Sequence, residues 1–180
     1  MPMATTDNTG QRPSLRQFQD SLAARMREAA GEKTSSSQLG LKSGGRQLLL
    51  DLEDAGEIVP VAGITPVPFT KPWLPGLVNV RGNLVSVVDL SLFAGGAPTP
   101  RTAEARIVLV AEKYPVRAGL LVERMMGLQA RERMKAAEAG ANVPSIPWAS
   151  QAWVDGEGRL WSQLDVAALV KDSTFLQAGV

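Results

Sequence analysis

Two short apolar runs, residues 77–80 and 84–90, meet at Arg81-Gly82-Asn83-Leu84. Runs this short and this rich in valine and leucine pack as strands, and a tight connection folds them back into a hairpin. Gly82-Asn83 supplies the positive φ values that such a turn needs. An arginine at the mouth of a rigid ribbon presents a fork of donors suited to carboxylates or carbonyls of a partner. Asn79 lies two residues earlier, on the same side of an extended strand, so both can face one partner. The competing reading is a solvated turn arginine, and an Asn-x-Arg-Gly string alone does not separate the two.

The pattern repeats along the chain. Residues 46–52 read as a well-buried strand, 53–56 as a turn, and 58–61 as a second strand. Pro60 places that strand at an edge or a bulge, because proline cannot donate to a ladder. Residues 65–75 hold four prolines and form an extended loop. Residues 94–102 break the chain at Gly95-Gly96. A second hairpin spans 106–111 and 116–122, and a third spans 152–154 and 159–161 across Asp155-Gly156-Glu157-Gly158. Residues 131–139 favour helix by propensity, with Gly140 as a stop. Residues 163–171 read as a short closing helix. Ahead of all this, Ser14 is a candidate N-cap, and Leu15, Phe18, Leu22 and Met26 give residues 14–30 an amphipathic helical face. That helix either packs on the domain or docks a partner. The expected division is a lead with a helix over 1–40, a main domain over 41–172 and a tail over 173–180. Two hairpin-rich halves of similar kind suit two small barrels in one unit.

Composition removes most chemistry. Among the 180 residues there is no histidine and no cysteine. Imidazole acid–base catalysis, thiolate nucleophiles, zinc sites with N or S ligands, disulfides and phosphohistidine are all excluded. Nineteen basic residues against eighteen acidic, with 5% aromatics, give neither the field nor the stacking surface for nucleic acid. The polar lead has no signal-peptide core, and no apolar run is long enough to span a membrane. A chain without cysteine fits a reducing cytoplasm.

The remaining candidates are weaker. Trp73 sits in the proline loop and is either an interface anchor or a core plug. Glu53, Asp54 and Glu57 cluster near Asp51 without the spacing of a calcium loop, which reads as a solvated turn. Asp89 and Asp165 are dispersed carboxylates, and a His-free hydrolase built on such groups has no other support. Met125-Met126-Gly127-Leu128 reads as strand-end packing or an adaptable surface. No phosphate-binding or dinucleotide fingerprint is present, so no cofactor is expected.

The hairpin extends into a longer pattern. Residues 76–90, Gly-Leu-Val-Asn-Val-Arg-Gly-Asn-Leu-Val-Ser-Val-Val-Asp-Leu, resemble the motif of the CheW-like domain family, G-ϕ-ϕ-N-ϕ-R-G-x-ϕ-ϕ-x-ϕ-ϕ-D-ϕ with ϕ apolar. Residues 119–123, Gly-Leu-Leu-Val-Glu, resemble a later family strand. The resemblance runs over about residues 41–171, and Pro72-Trp73 before Gly76 looks most like the pilus-linked, PilI-type branch. It implies a mainly β fold of two small intertwined five-stranded SH3-like barrels, with an N-terminal helix and a short C-terminal helix. It implies a non-catalytic cytoplasmic adaptor, recruited to membrane-associated receptor arrays. The implied partners are a CheA-type histidine kinase regulatory domain and the cytoplasmic tip of a methyl-accepting chemoreceptor. The output is type IV pilus twitching or, as the alternative, flagellar chemotaxis; a small β-barrel nucleic-acid binder is a third reading. Carried over, Arg81, Asn79 and Gly82 lie near the receptor-facing region, and Val61, Ile64 and Val122 line a groove between barrels. The family often has an acid just before the residue matching Ile64. Here it is Gly63, so Arg81 needs another partner or stays free.

Overall fold

The computed structural model describes residues 37–138, 146, 148–149 and 151–179, all within one contact unit, 36–180. The amphipathic segment 14–30 lies outside the described residues. Eleven strands are present among them: β1 Ser37–Ser43, β2 Arg46–Asp51, β3 Ala55–Pro60, β4 Gly76–Val80, β5 Asn83–Asp89, β6 Arg106–Val110, β7 Ala118–Val122, β8 Arg124–Ala130, β9 Lys135–Ala136, β10 Ala152–Val154 and β11 Leu160–Leu164. Three single-turn helices accompany them: α1 Leu90–Phe93, α2 Val166–Leu169 and α3 Ser173–Leu176.

The strands make two sheets, ordered β8-β1-β2-β11-β10-β9 and β3-β6-β7-β5-β4. The chain interleaves them. β3 leaves the first sheet's hairpin to edge the second, and β11 returns to lie parallel to β2. The mainly β, two-sheet architecture agrees with the sequence reading. The first sheet holds six strands rather than five, because the two-residue β9 pairs with β10.

Burial follows the two-residue period of extended chain. In β7 every residue is buried. Ala118, Leu120 and Val122 point into a core shared with Leu39, Leu41, Leu48 and Leu50 of the first sheet. Leu121 points the opposite way, into a second core with Val78, Val85, Val87 and Ile107. The central strands β6 and β7 of the second sheet are thus covered on both faces, which is why they are almost uniformly apolar.

Pro60 lies in edge strand β3, where a missing N–H is tolerated, and it pairs with Arg106; the register against β6 shifts earlier, between Ala55 and Ile58. Three expectations are corrected. The segment from Arg131 is not a helix: a 3₁₀ turn, Arg131–Arg133, leads into β9. Pairing of Lys135 with Val154 and of Ala136 with Trp153, with the Arg131 guanidinium 5.0 Å from the Trp153 ring, overrides propensity. The closing helix is shorter than residues 163–171, because β11 runs on to Leu164 and Asp165 caps α2 through Ala168 N–H at 2.8 Å. The hairpin turn is also shifted by one residue. Val80 pairs with Asn83, so Arg81 and Gly82, with φ of 51° and 85°, are the two loop residues.

Candidate partner-binding surface

Two consecutive positive φ values in a two-residue loop mark the hairpin geometry that glycine and asparagine favour. Gly82 meets that requirement without cost; Arg81 does not. The turn is held from within: Asn79 Oδ1 accepts the Gly82 N–H at 2.8 Å. Asn79 therefore spends its carbonyl oxygen on the turn, while its residue as a whole stays exposed.

The partner of Arg81 is Glu57. One guanidinium nitrogen lies 3.0 Å from the Glu57 carboxylate, with the arginine side chain 80% exposed. Glu57 sits in β3 and Arg81 caps β4, the two edges of the second sheet. The same edges meet at the far end of β4. Thr65, just beyond β3, exchanges backbone hydrogen bonds with Leu77 at 2.8 and 2.9 Å. One ion pair and one two-bond bridge thereby draw the open edges of the sheet toward each other.

Gly76 explains why the motif begins with glycine. Its φ is 146°, and a Cβ there would collide with the Thr65 carbonyl oxygen. Gly63, where the family often has an acid, leaves open space around its Cα. The acid that reaches Arg81 comes instead from Glu57, further back along β3.

The remaining predicted residues separate. Val122 is fully buried in the shared core, whereas Val61 and Ile64 are half-buried against the second core. The three do not converge on one groove. Trp73 is 8% exposed and meets Phe93 edge-to-face at 5.0 Å. Its carbonyl accepts the Asp89 N–H at 2.8 Å. The proline loop thus delivers this tryptophan to the core. Phe69 in the same loop does the opposite: it is 84% exposed with φ of 59°.

The acidic turn resolves into separate contacts. Asp54 accepts the Tyr114 hydroxyl at 2.7 Å and pairs with Lys113 at 2.7 Å. Burial, with the Asp54 hydrogen bond and charge, pushes the Tyr114 phenol above its ordinary value, so it stays neutral. No group of three acidic residues converges as a metal site among the described residues. Asp89 is also structural. It accepts Ser91 and Leu92 N–H as the cap of α1, and Thr99 N–H and Oγ1–H at 2.9 and 2.7 Å. At Glu123, burial acts upward, but hydrogen bonds from Gly45 N–H and Lys42 outweigh it and lower the carboxyl.

Around the Arg81 turn, the β3, β4–β5, and β6–β7 ends enclose an open concavity of about 790 Å³. Its apolar lining includes Val80, Val85, Leu109 and Val116, and its charged rim carries Glu57, Arg81, Glu112 and Arg117. Arg117 reaches Asn83 Oδ1 at 3.4 Å. Glu112 and Arg117 escaped the sequence reading, and Glu57 was read as part of a solvated acidic turn rather than as a partner of Arg81. Each lies more than twenty residues from Arg81, and no local spacing marks them.

No cluster of acidic side chains among the described residues could hold a metal, and of the four rim charges Arg81 and Glu57 are paired. Among the described residues no helix is long and apolar enough to cross a membrane. Comparison with known proteins agrees with the motif. The family profile for the CheW-like domain matches residues 38–174. The protein PilI of Pseudomonas aeruginosa is 30% identical over 149 residues, covering 81% of this chain and 82% of PilI. The chemotaxis protein CheW of Thermotoga maritima is 24% identical over 131 residues, covering 71% of this chain and 82% of that one. In fold, the scaffolding protein TtCheW of Thermoanaerobacter tengcongensis superposes with a TM-score of 0.60 at 18% identity, over 73% of this chain and 89% of that one. The chain belongs to the CheW-like domain family, on its PilI-like side.

Proposed function

We propose that this protein is a non-catalytic chemosensory adaptor that couples methyl-accepting receptors to a CheA-type histidine kinase and controls type IV pilus twitching. The observation that carries the reading is the continuous similarity to PilI over most of both chains. The site chemistry supports it. A chain without histidine or cysteine cannot carry a phosphoryl group on imidazole or use a thiolate, so its contribution is to hold partners together. The rigid hairpin, with Arg81 exposed at its tip beside an open concavity, is a surface for recognition. The proposed contact residues are Arg81, Asn79 and Gly82 at the turn and Val61 and Ile64 beside the second core. Trp73 and Val122 act from within, by holding the strands that present them. The protein works in the cytoplasm at membrane-associated arrays.

The test is binding of the purified chain to the kinase regulatory domain and to a receptor tip fragment. Absence of binding to both at high micromolar concentration sinks the reading. A deletion strain separates the outputs: loss of twitching with swimming retained supports the pilus assignment, and the reverse pattern overturns it.

A further inference from the structure

The concavity beside Arg81 has an uneven distribution of satisfied charge. On one side of its rim Arg81 and Glu57 neutralise each other at 3.0 Å. On the other, Glu112 and Arg117 stand five residues apart across the β6–β7 loop, both exposed. Among the described residues neither makes an ion pair. Lys113, next to Glu112, is committed to Asp54, and among the described residues the Arg117 side chain reaches only the neutral Asn83, at 3.4 Å. The same concavity that holds these two charges has an apolar lining that includes Val80, Val85, Leu109 and Val116.

We propose that this concavity docks a protein segment whose apolar side chain is flanked by one acidic and one basic residue, the acid meeting Arg117 and the base meeting Glu112. A ligand of one charge sign would leave one of the two groups without a partner. An uncharged apolar ligand would strip water from both with no compensation. A polypeptide segment carrying both signs meets the rim and fills the lining. The concavity is open and lined in part by Arg81 of the hairpin turn, which suits a loop or helix end of a folded partner. Because Glu112 and Arg117 are solvated in the free chain, their pairing contributes mainly to partner choice and association rate. This inference rests on the adaptor reading and names the partner chemistry of the same surface.

The experiment compares the wild-type chain with Arg117→Glu and Glu112→Lys for affinity to the kinase regulatory domain and the receptor tip, at low and moderate salt. Thermal melts verify that the exposed substitutions leave the fold intact. The expected result is a loss of about fivefold or more in affinity for one of the two partners in each variant, larger at low salt. Wild-type binding that both reversals leave unchanged overturns the docking segment while sparing the adaptor reading. Wild-type binding to neither partner overturns both. Self-association that either reversal abolishes reassigns the occupant to a second copy of the chain and overturns the partner chemistry proposed.

Discussion

Arg81 and Glu57, 24 residues apart in sequence, meet at 3.0 Å across the two edge strands of one sheet. The pair is exposed, so its net contribution to stability is small, on the order of 0–1 kcal/mol. The backbone argues further. A left-handed φ of 51° is better served by asparagine or glycine than by arginine. Arginine at this turn is therefore held against local preference, which fits a recognition role. Arg81→Asn should leave the melting temperature unchanged or slightly raised while weakening coupling to receptor or kinase. Glu57→Arg combined with Arg81→Glu should preserve the fold and still fail to couple. A drop of many degrees in Arg81→Asn would make the arginine structural instead.

Phe69 is held in the left-handed region at 84% exposure. Its loop is braced by Thr70, whose hydroxyl donates to Val67 O at 2.9 Å, and by Lys71 N–H to Ala178 O at 2.8 Å. Neither backbone preference nor packing favours phenylalanine there. Phe69→Asn should stabilise the chain by about 1 kcal/mol, visible as a small rise in the urea midpoint. Destabilisation would mean that the ring is covered in solution.

Asp89 is buried and accepts four hydrogen bonds that join the end of β5, α1 and Thr99 beyond the glycine loop. Asp89→Ala leaves those donors without their acceptor. The expected loss is more than about 2 kcal/mol, with hydrogen exchange rising first at Leu92 and Thr99. A melting curve like that of wild type would contradict this account.

The hairpins were legible because β4, β5, β6 and β7 carry dense valine and leucine bounded by glycine and proline. Pro60 marked its strand as an edge or a bulge, and the strand is an edge. What stayed hidden depended on contacts between distant segments. β1 begins at Ser37, inside the stretch 1–40 read as a lead, and it is held as a strand by pairing with β2 and β8. The residues after Arg131 have helical composition but find a strand partner in β10. At the site, the turn and Arg81 were visible in the motif. Glu57 was not, because an ion pair between two sheet edges leaves no local signature. Nor does the composition of the proline loop reveal that Trp73 turns inward and Phe69 outward.

Asp155 gives the chain an acid-sensitive point. Burial alone would raise its carboxyl, but hydrogen bonds from Trp161 Nε1–H, from Arg159 backbone and side chain, and from Glu157 N–H outweigh it and hold the group well below the usual carboxylate range. A carboxyl depressed in the folded state stabilises fully above its unfolded value, about 3.9, and that stabilisation fades as pH falls through the folded value. Asp155→Asn should flatten this acid limb and shift the Trp161 indole N–H resonance at neutral pH. An unchanged slope of stability against pH below about 4 would contradict the assignment.

Gly76 offers the sharpest test of how the sheet edges are joined. Its φ of 146° is closed to side chains, and an added Cβ would meet the Thr65 carbonyl oxygen and the Ile64 side chain. That carbonyl is the acceptor for Leu77 N–H in the bridge between the β3 extension and β4. Gly76→Ala must either break the bridge or move the strand, and both outcomes open the second core at Val78. The expected loss is about 3 kcal/mol or more. Thr65→Ala keeps the backbone bridge and should be nearly neutral, so the two variants separate loss of the bridge from loss of a side chain. Equal stability of Gly76→Ala and wild type in chemical denaturation would rule out the bridge as a fastening of these edges.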